Sequence, residues 1–326
     1  MNNLPHLCAV LLIFLCIYLT YTYFQQPITE YFEETTDRIL FLTAENRGLT
    51  EPDVKPLPDM SSRFDKAIVV YLAVSKIPAP EFFKSATDKL QNQAKIGKIE
   101  YWLQFNTAKD YDPICSKHKL PDGGSACLAE MEQQLNDLKG KVEPDYPITG
   151  IYFDYESLAG PEDNAGIDII VQSMEGLSDR YSLALGFTKS IRTCTQKRPH
   201  PEFCKKDSDY CLGQSYTDNT SDFYQKKPCG ELDVAKLQAK WEQKTTNMGV
   251  PANYSVPLVC LGGNCQGDGP CCLPEKQMGD CLIDERLSPD GLKKLVSGLD
   301  ERKFPNLGLW YGTGAKSENI CSRCGK

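Results

Sequence analysis

The chain has 326 residues, of which 41% are hydrophobic and 25% charged. That length supports one large core or two modest ones. The formal net charge of −8 speaks against a nucleic-acid partner, which would be gripped through its phosphates by basic residues.

The first element is an uncharged apolar run from Leu7 to Phe24. Its 18 residues fall just short of the ~20 that span a bilayer. They exceed the roughly 7–15 of a signal-peptide core. No small-x-small cleavage site follows, so residues 1–24 read as a signal anchor in the membrane rather than a cleaved signal peptide. The first basic residue is Arg38, so flanking charge sets no orientation. The cysteines do. Of the 15, Cys8 and Cys16 lie in the apolar run and the other thirteen fall between Cys115 and Cys324. A cytosolic protein rarely carries that load. The alternative is zinc, for which Cys321 and Cys324 have ligand spacing, but there are only 3 histidines, and the adjacent Cys271 and Cys272 do not suit a four-ligand site. The expectation is a disulfide-bonded domain in the secretory pathway, membrane-anchored with its domain lumenal or extracellular, or secreted if residues 1–24 are a cleaved signal peptide, with no metal and no cofactor. Sequons at Asn219 and Asn253 agree with export.

Residues 25–65 are polar and broken by Pro27, Pro52, Pro56 and Pro58, and read as a stem. One short apolar run, "RILFL" at 38–42, sits in it without an assigned place. From residue 66 to 326 a domain follows with its own rhythm. "AIVVYLAV" (67–74) is a strand, and the helix after it ends at Gly97. "KIEYWLQF" (98–105) is a strand, followed by a helix capped by Ser125 and stopped at Gly140. "ITGIYFDYE" is a strand, "AGIDIIVQSMEGLSD" a helix, "YSLALGFT" (181–188) a strand and "YCLGQSYTD" (210–218) another. "LDVAKLQAKWEQKTTNMG" is a helix, "YSVPLVCLGG" (254–263) a strand, "SPDGLKKLVSGLDERK" a helix and "NLGLWYGTG" (306–314) the last strand. Apolar strands alternating with helices predict an α/β fold with a parallel sheet. The span matches the ~250 residues of a (β/α)8 TIM-type barrel, in an irregular form. Seven strands are countable after residue 65, and only two βα units precede Ile151 where a barrel numbering needs three. Either 38–42 supplies the missing strand or it is absent. An open doubly wound sheet is the alternative, but "YLAVSKIPAPEF" has no Gly-rich phosphate loop.

"PITGIYFDYESLAG" at 147–160 is the informative strand. Alternation puts Gly150, Tyr152, Asp154 and Glu156 on one face and Ile151, Phe153 and Tyr155 on the other. The second face suits packing under helices. The first turns acidic towards its C-terminal end, which is the active-site end of a barrel strand. Carboxylates directed into a barrel mouth are costly unless their charge is used or compensated. A wet strand end would also carry them.

"TGIYFDYE" resembles the fourth-strand signature of glycoside hydrolase family 18, the chitinases and endo-N-acetylglucosaminidases, Asp-x-x-Asp-x-Asp-x-Glu. Glu156 matches the acid and Asp154 the third Asp. Tyr152 stands where the second Asp is expected and Thr149 where the first is. Two later strands add to the likeness: Gln214-x-Tyr216 resembles the sixth-strand motif, and Trp310 the Trp of the last strand. The resemblance implies substrate-assisted hydrolysis of β-linked N-acetylglucosamine, in which the sugar's own acetamido oxygen attacks and one proton donor suffices. It implies that Glu156 is that donor, that Asp154 orients the acetamido N–H, and that Tyr216 bonds the acetamido oxygen. Trp310 floors the sugar, with Tyr152 and Gln214 also at the substrate. The departure at Tyr152 bears on activity, and an inactive relative that binds chitin, another glycan or a protein is the alternative. A cysteine-rich surface protein with the barrel as scaffold is a third reading. The Gly/Pro-rich inserts Cys194–Cys211 and Cys260–Cys281 read as disulfide-stapled loops that wall the cleft or bind a partner, with stabilisation alone as the alternative.

Overall fold

The computed structural model describes residues 37–44, 56–72, 77–106, 123–154, 164–190, 210–214, 234–235, 238–239, 241–243, 252–260 and 289–311. The chain divides into two compact units, Met1–Thr36 and Asp37–Lys326. The apolar segment 7–24 lies outside the described residues, and among those described no helix is long and apolar enough to cross a membrane.

Eight parallel strands close into a barrel in strict sequence order. They are β1 Ile39–Ala44, β2 Lys66–Leu72, β3 Ile99–Asn106, β4 Ile148–Asp154, β5 Ala184–Ser190, β6 Tyr210–Gln214, β7 Ser255–Cys260 and β8 Leu307–Tyr311. β1 answers the strand count. "RILFL" pairs with β2 on one side and β8 on the other and thereby closes the sheet. The expected stem of 25–65 is corrected accordingly. Residues 39–44 are barrel, and Leu57, Met60 and Phe64 are buried in the core beside them. Pro52, Pro56 and Pro58 concealed this, because they lie in the connection from β1 to β2 and not in a strand.

Among the described residues, helices α1 Ala79–Lys89, α2 Gly123–Val142, α3 Asn164–Tyr181 and α4 Pro289–Gly298 cover the outside. Residues 234–235, 238–239 and 241–243 are helical too. α1 runs on into a π turn, Leu90–Ala94, and stops at Lys95, whose φ of 61° is left-handed, so Gly97 is not its cap. α2 starts before Ser125 and passes through Gly140 to Val142, so neither expected boundary holds. A glycine inside a helix costs only about 1 kcal/mol, which buried contacts of Leu135, Leu138 and Val142 outweigh.

The outward strand face packs under the helices, with Ile151 and Phe153 of β4 beside Tyr101, Leu103 and Phe105 of β3. The inward face forms a separate core of Ile39, Phe41, Ile68, Val70, Trp102, Tyr152, Leu212 and Val256. Trp102 is its centre. Phe41 meets it edge-on at 5.7 Å and Tyr210 at 5.8 Å. The indole has room because β4 and β5 present Gly150 and Gly186. A Cβ on Gly150 would sit 2.2 Å from the Trp102 ring, and one on Gly186 3.0 Å.

The N-terminal end of the barrel is closed by charge. Lys66 pairs with Glu100 at 2.8 Å, and Asp37 receives Lys98 at 2.9 Å. Tyr210 stands above this layer, its hydroxyl pKa pushed up to about 12, first by burial and then by Glu100. Arg38 forks onto both oxygens of Asp65 at 3.0 Å and reaches Glu301 at 2.8 Å. Those bonds from Arg38 hold the Asp65 carboxyl below its ordinary value.

Arg63 is the pin between the β1–β2 connection and the entry to β8. It is 4% exposed, and its guanidinium donates to the carbonyls of Phe304 and Pro305. Burial lowers its pKa. Replacing Arg63 by Met keeps the apolar stem but leaves two carbonyls without their donor. At about 1.5 kcal/mol for each bond to a charged group, the loss should be about 3 kcal/mol by urea denaturation. A loss below about 1 kcal/mol would mean that water replaces the guanidinium freely.

Candidate active site

The register brings a polar layer together above the Trp102 layer, at the C-terminal mouth. Asp154 is the last residue of β4 and is partly buried. Gln104 of β3 lies opposite Tyr152, one inward position below Asp154. Its Nε2 donates to Asp154 Oδ2 at 3.1 Å. Thr43 of β1 donates its hydroxyl to Gln104 Oε1 at 3.2 Å. β1 and β3 are not neighbours, so the Thr43–Gln104 bond passes across the inward face of β2. Gln104 is 7% exposed and Thr43 5%. The three side chains form one chain of bonds, Thr43 to Gln104 to Asp154, over three strands.

The inward alternation expected for β4 is present for Gly150, Tyr152 and Asp154. Tyr152 is 3% exposed and belongs to the apolar inner core. Thr149 is exposed. The pairing of β3 with β4 shifts at this point, from Tyr101 opposite Ile148 to Trp102 opposite Gly150. Thr149 is the extra residue of that irregularity and lies outside the inward series of Gly150, Tyr152 and Asp154. Neither position where the motif expects an upstream acid therefore supplies Asp154 with a carboxylate.

Glu156 and Tyr216 lie outside the described residues. Gln214 and Trp310 are described by their backbone alone: Gln214 ends β6 opposite Leu258, and Trp310 pairs with Thr43 and Cys260. Both cysteine inserts lie outside the described residues apart from Tyr210, Cys211 and Cys260, at strand positions. Gln104 and Thr43 are the functional candidates that sequence reasoning missed. The signal for Gln104 was available: in "IEYWLQFN" it shares the inward period with Trp102, and a lone amide on that face needs a partner.

No protein-family model and no curated protein sequence matches the chain. Solved structures do. The glycosidases of family 18 are the structures it resembles, remotely. A class V chitinase from Nicotiana tobaccum aligns at TM-score 0.46 and 11% identity, over 88% of this chain and 98% of that one. An endo-beta-N-acetylglucosaminidase from Cordyceps militaris aligns at TM-score 0.46 and 10% identity, over 86% and 85%. A GH18 chitinase from Pseudoalteromonas aurantia aligns at TM-score 0.45 and 9% identity, over 87% and 98%.

Proposed function

We propose that this protein is a glycoside hydrolase acting on β-linked N-acetylglucosamine polymers or glycans by substrate-assisted acid catalysis. The observation that carries the reading is the strand count. With β1 included, the strand that ends at Asp154 is the fourth, Gln214 ends the sixth and Trp310 lies in the eighth and last. These are the strands on which the motif resemblance expects them. Asp154 is held at the mouth by an amide donor, as a residue that must present one oxygen in a fixed direction needs. Glu156, two residues beyond, donates the proton to the leaving oxygen. The acetamido group of the substrate serves as nucleophile. Release of reducing sugar from chitooligosaccharides tests the proposal.

A second reading, an inactive glycan-binding barrel, is favoured by one observation. Tyr152 is packed among apolar side chains and Thr149 is exposed, so Asp154 has no carboxylate from either motif position to share a proton with. Binding to chitin beads without release of reducing sugar would select it.

In the same reading the barrel domain is exported, anchored by residues 1–24, and its cysteine inserts are disulfide-stapled loops at the cleft. Buried Cys127 of α2 is disulfide-bonded, which supports an oxidising compartment. The domain should show a glycosidase-sensitive mass shift at Asn219 or Asn253 and few free thiols after denaturation. No shift together with thirteen free thiols beyond the apolar run would place it in the cytosol.

A further inference from the structure

We infer that Gln104, oriented by Thr43, is the positioning residue for Asp154, supplying from β3 an amide donor to its Oδ2. The inference rests on the proposed role of Asp154 in the site. Four observations carry it. Gln104 is buried and its Nε2 lies 3.1 Å from Asp154 Oδ2. Its other end is occupied by the Thr43 hydroxyl at 3.2 Å. Tyr152, directly opposite Gln104, is packed in the apolar layer. Thr149 is exposed.

The orientation of the amide follows from chemistry. An ionised carboxylate only accepts hydrogen bonds, so Gln104 must turn Nε2 towards Asp154. Oε1 is then left over, and a hydroxyl donor from Thr43 satisfies it. The amide thus fixes one carboxylate oxygen in direction. It does so differently from a second acid. A carboxyl partner 3 Å away would share a proton with Asp154. An amide neither takes up nor releases a proton, so it anchors Asp154 without joining its titration. Among the described inward-facing groups, Tyr152 is the ionisable neighbour at this level. Lys66, Glu100 and Tyr210 sit at the opposite end of the barrel.

The test compares Gln104→Met, Gln104→Glu and Thr43→Val by kcat and KM on chitotetraose across the pH range. Gln104→Met keeps length and removes the donor, and kcat should fall about 10-fold with KM changed by less than about twofold, as for one lost bond to a charged group. Thr43→Val should give a smaller loss of the same kind. Gln104→Glu should do what a merely structural residue cannot. With both carboxylates ionised it repels Asp154 and kcat falls at least as far as in Gln104→Met. At lower pH the pair holds one proton, the protonated Glu donates to Asp154, and the rate returns towards wild type. Profiles for Gln104→Met and Gln104→Glu that parallel wild type at all pH overturn the inference. If the wild type hydrolyses nothing, the enzymatic reading fails on its own, and carbon-13 resonance of the Asp154 carboxyl decides the pairing. Gln104→Glu should then split the Asp154 titration into two steps. A single step, unchanged from wild type, overturns the inference.

Discussion

Glu156→Gln is expected to abolish chitooligosaccharide hydrolysis while leaving binding nearly unchanged. Gln keeps the shape and reach of the side chain but has no proton to give to the leaving oxygen. General acid catalysis contributes about 10²–10⁴-fold, so the loss is easily read from reducing-end release. Binding of the same oligosaccharide, followed by tryptophan fluorescence, should shift little, because uniform contacts with the sugar remain. The companion Asp154→Asn should also slow turnover. In the proposed mechanism it removes the charge that would orient the acetamide, and it leaves the Gln104 Nε2 facing a group that no longer only accepts. Equal rates for wild type and Glu156→Gln would remove Glu156 from the role of acid. Binding by a wild type that turns over no N-acetylglucosamine polymer would leave the inactive glycan-binding barrel standing.

The second large effect is expected in the core beneath the site. Gly150→Ala should destabilise the domain strongly, because the new methyl would meet the Trp102 ring at 2.2, 2.4 and 2.5 Å. Overpacking of this kind costs about 1–3 kcal/mol and occasionally more. The indole has little room to withdraw, since Phe41 and Tyr210 pack against it at 5.7 and 5.8 Å. Trp102→Phe in the same chain should recover much of the loss. Phe is smaller, and it also removes an indole N–H that has no partner in the barrel interior. Urea denaturation of the two single variants and the double variant gives the coupling directly, and contacts of this kind couple by about 0.5–3 kcal/mol. Additive losses would show that Gly150 is required by the backbone alone. Because Trp102 lies under Tyr152 and Gln104 in the inward series, the same variants should loosen the mouth. Oligosaccharide affinity should fall further than Arg63→Met makes it fall at equal loss of stability.

Much of this architecture is determined by local sequence. Alternating apolar strands and helices specify the α/β class, because a strand buried on both faces must be apolar throughout and a helix covering it must be apolar on one stripe. The period of two in "ITGIYFD" places Tyr152 and Asp154 on one face and Ile151 and Phe153 on the other, and the fold keeps that division. Tertiary structure decided the rest. "RILFL" becomes β1 only because β8, some 270 residues later, offers an open edge for it to close, and nothing within its own neighbours signals that. The ends of α1 and α2 were set by packing and by the left-handed turn at Lys95 rather than by Ser125, Gly97 or Gly140. Thr149 is passed over in the pairing of β3 with β4 because the register shifts there, a property of two strands together. The link from Thr43 to Gln104 to Asp154 joins three strands 61 and 50 residues apart in sequence. Period and composition place each of those side chains on a face. Only the closed barrel brings the faces within hydrogen-bond reach.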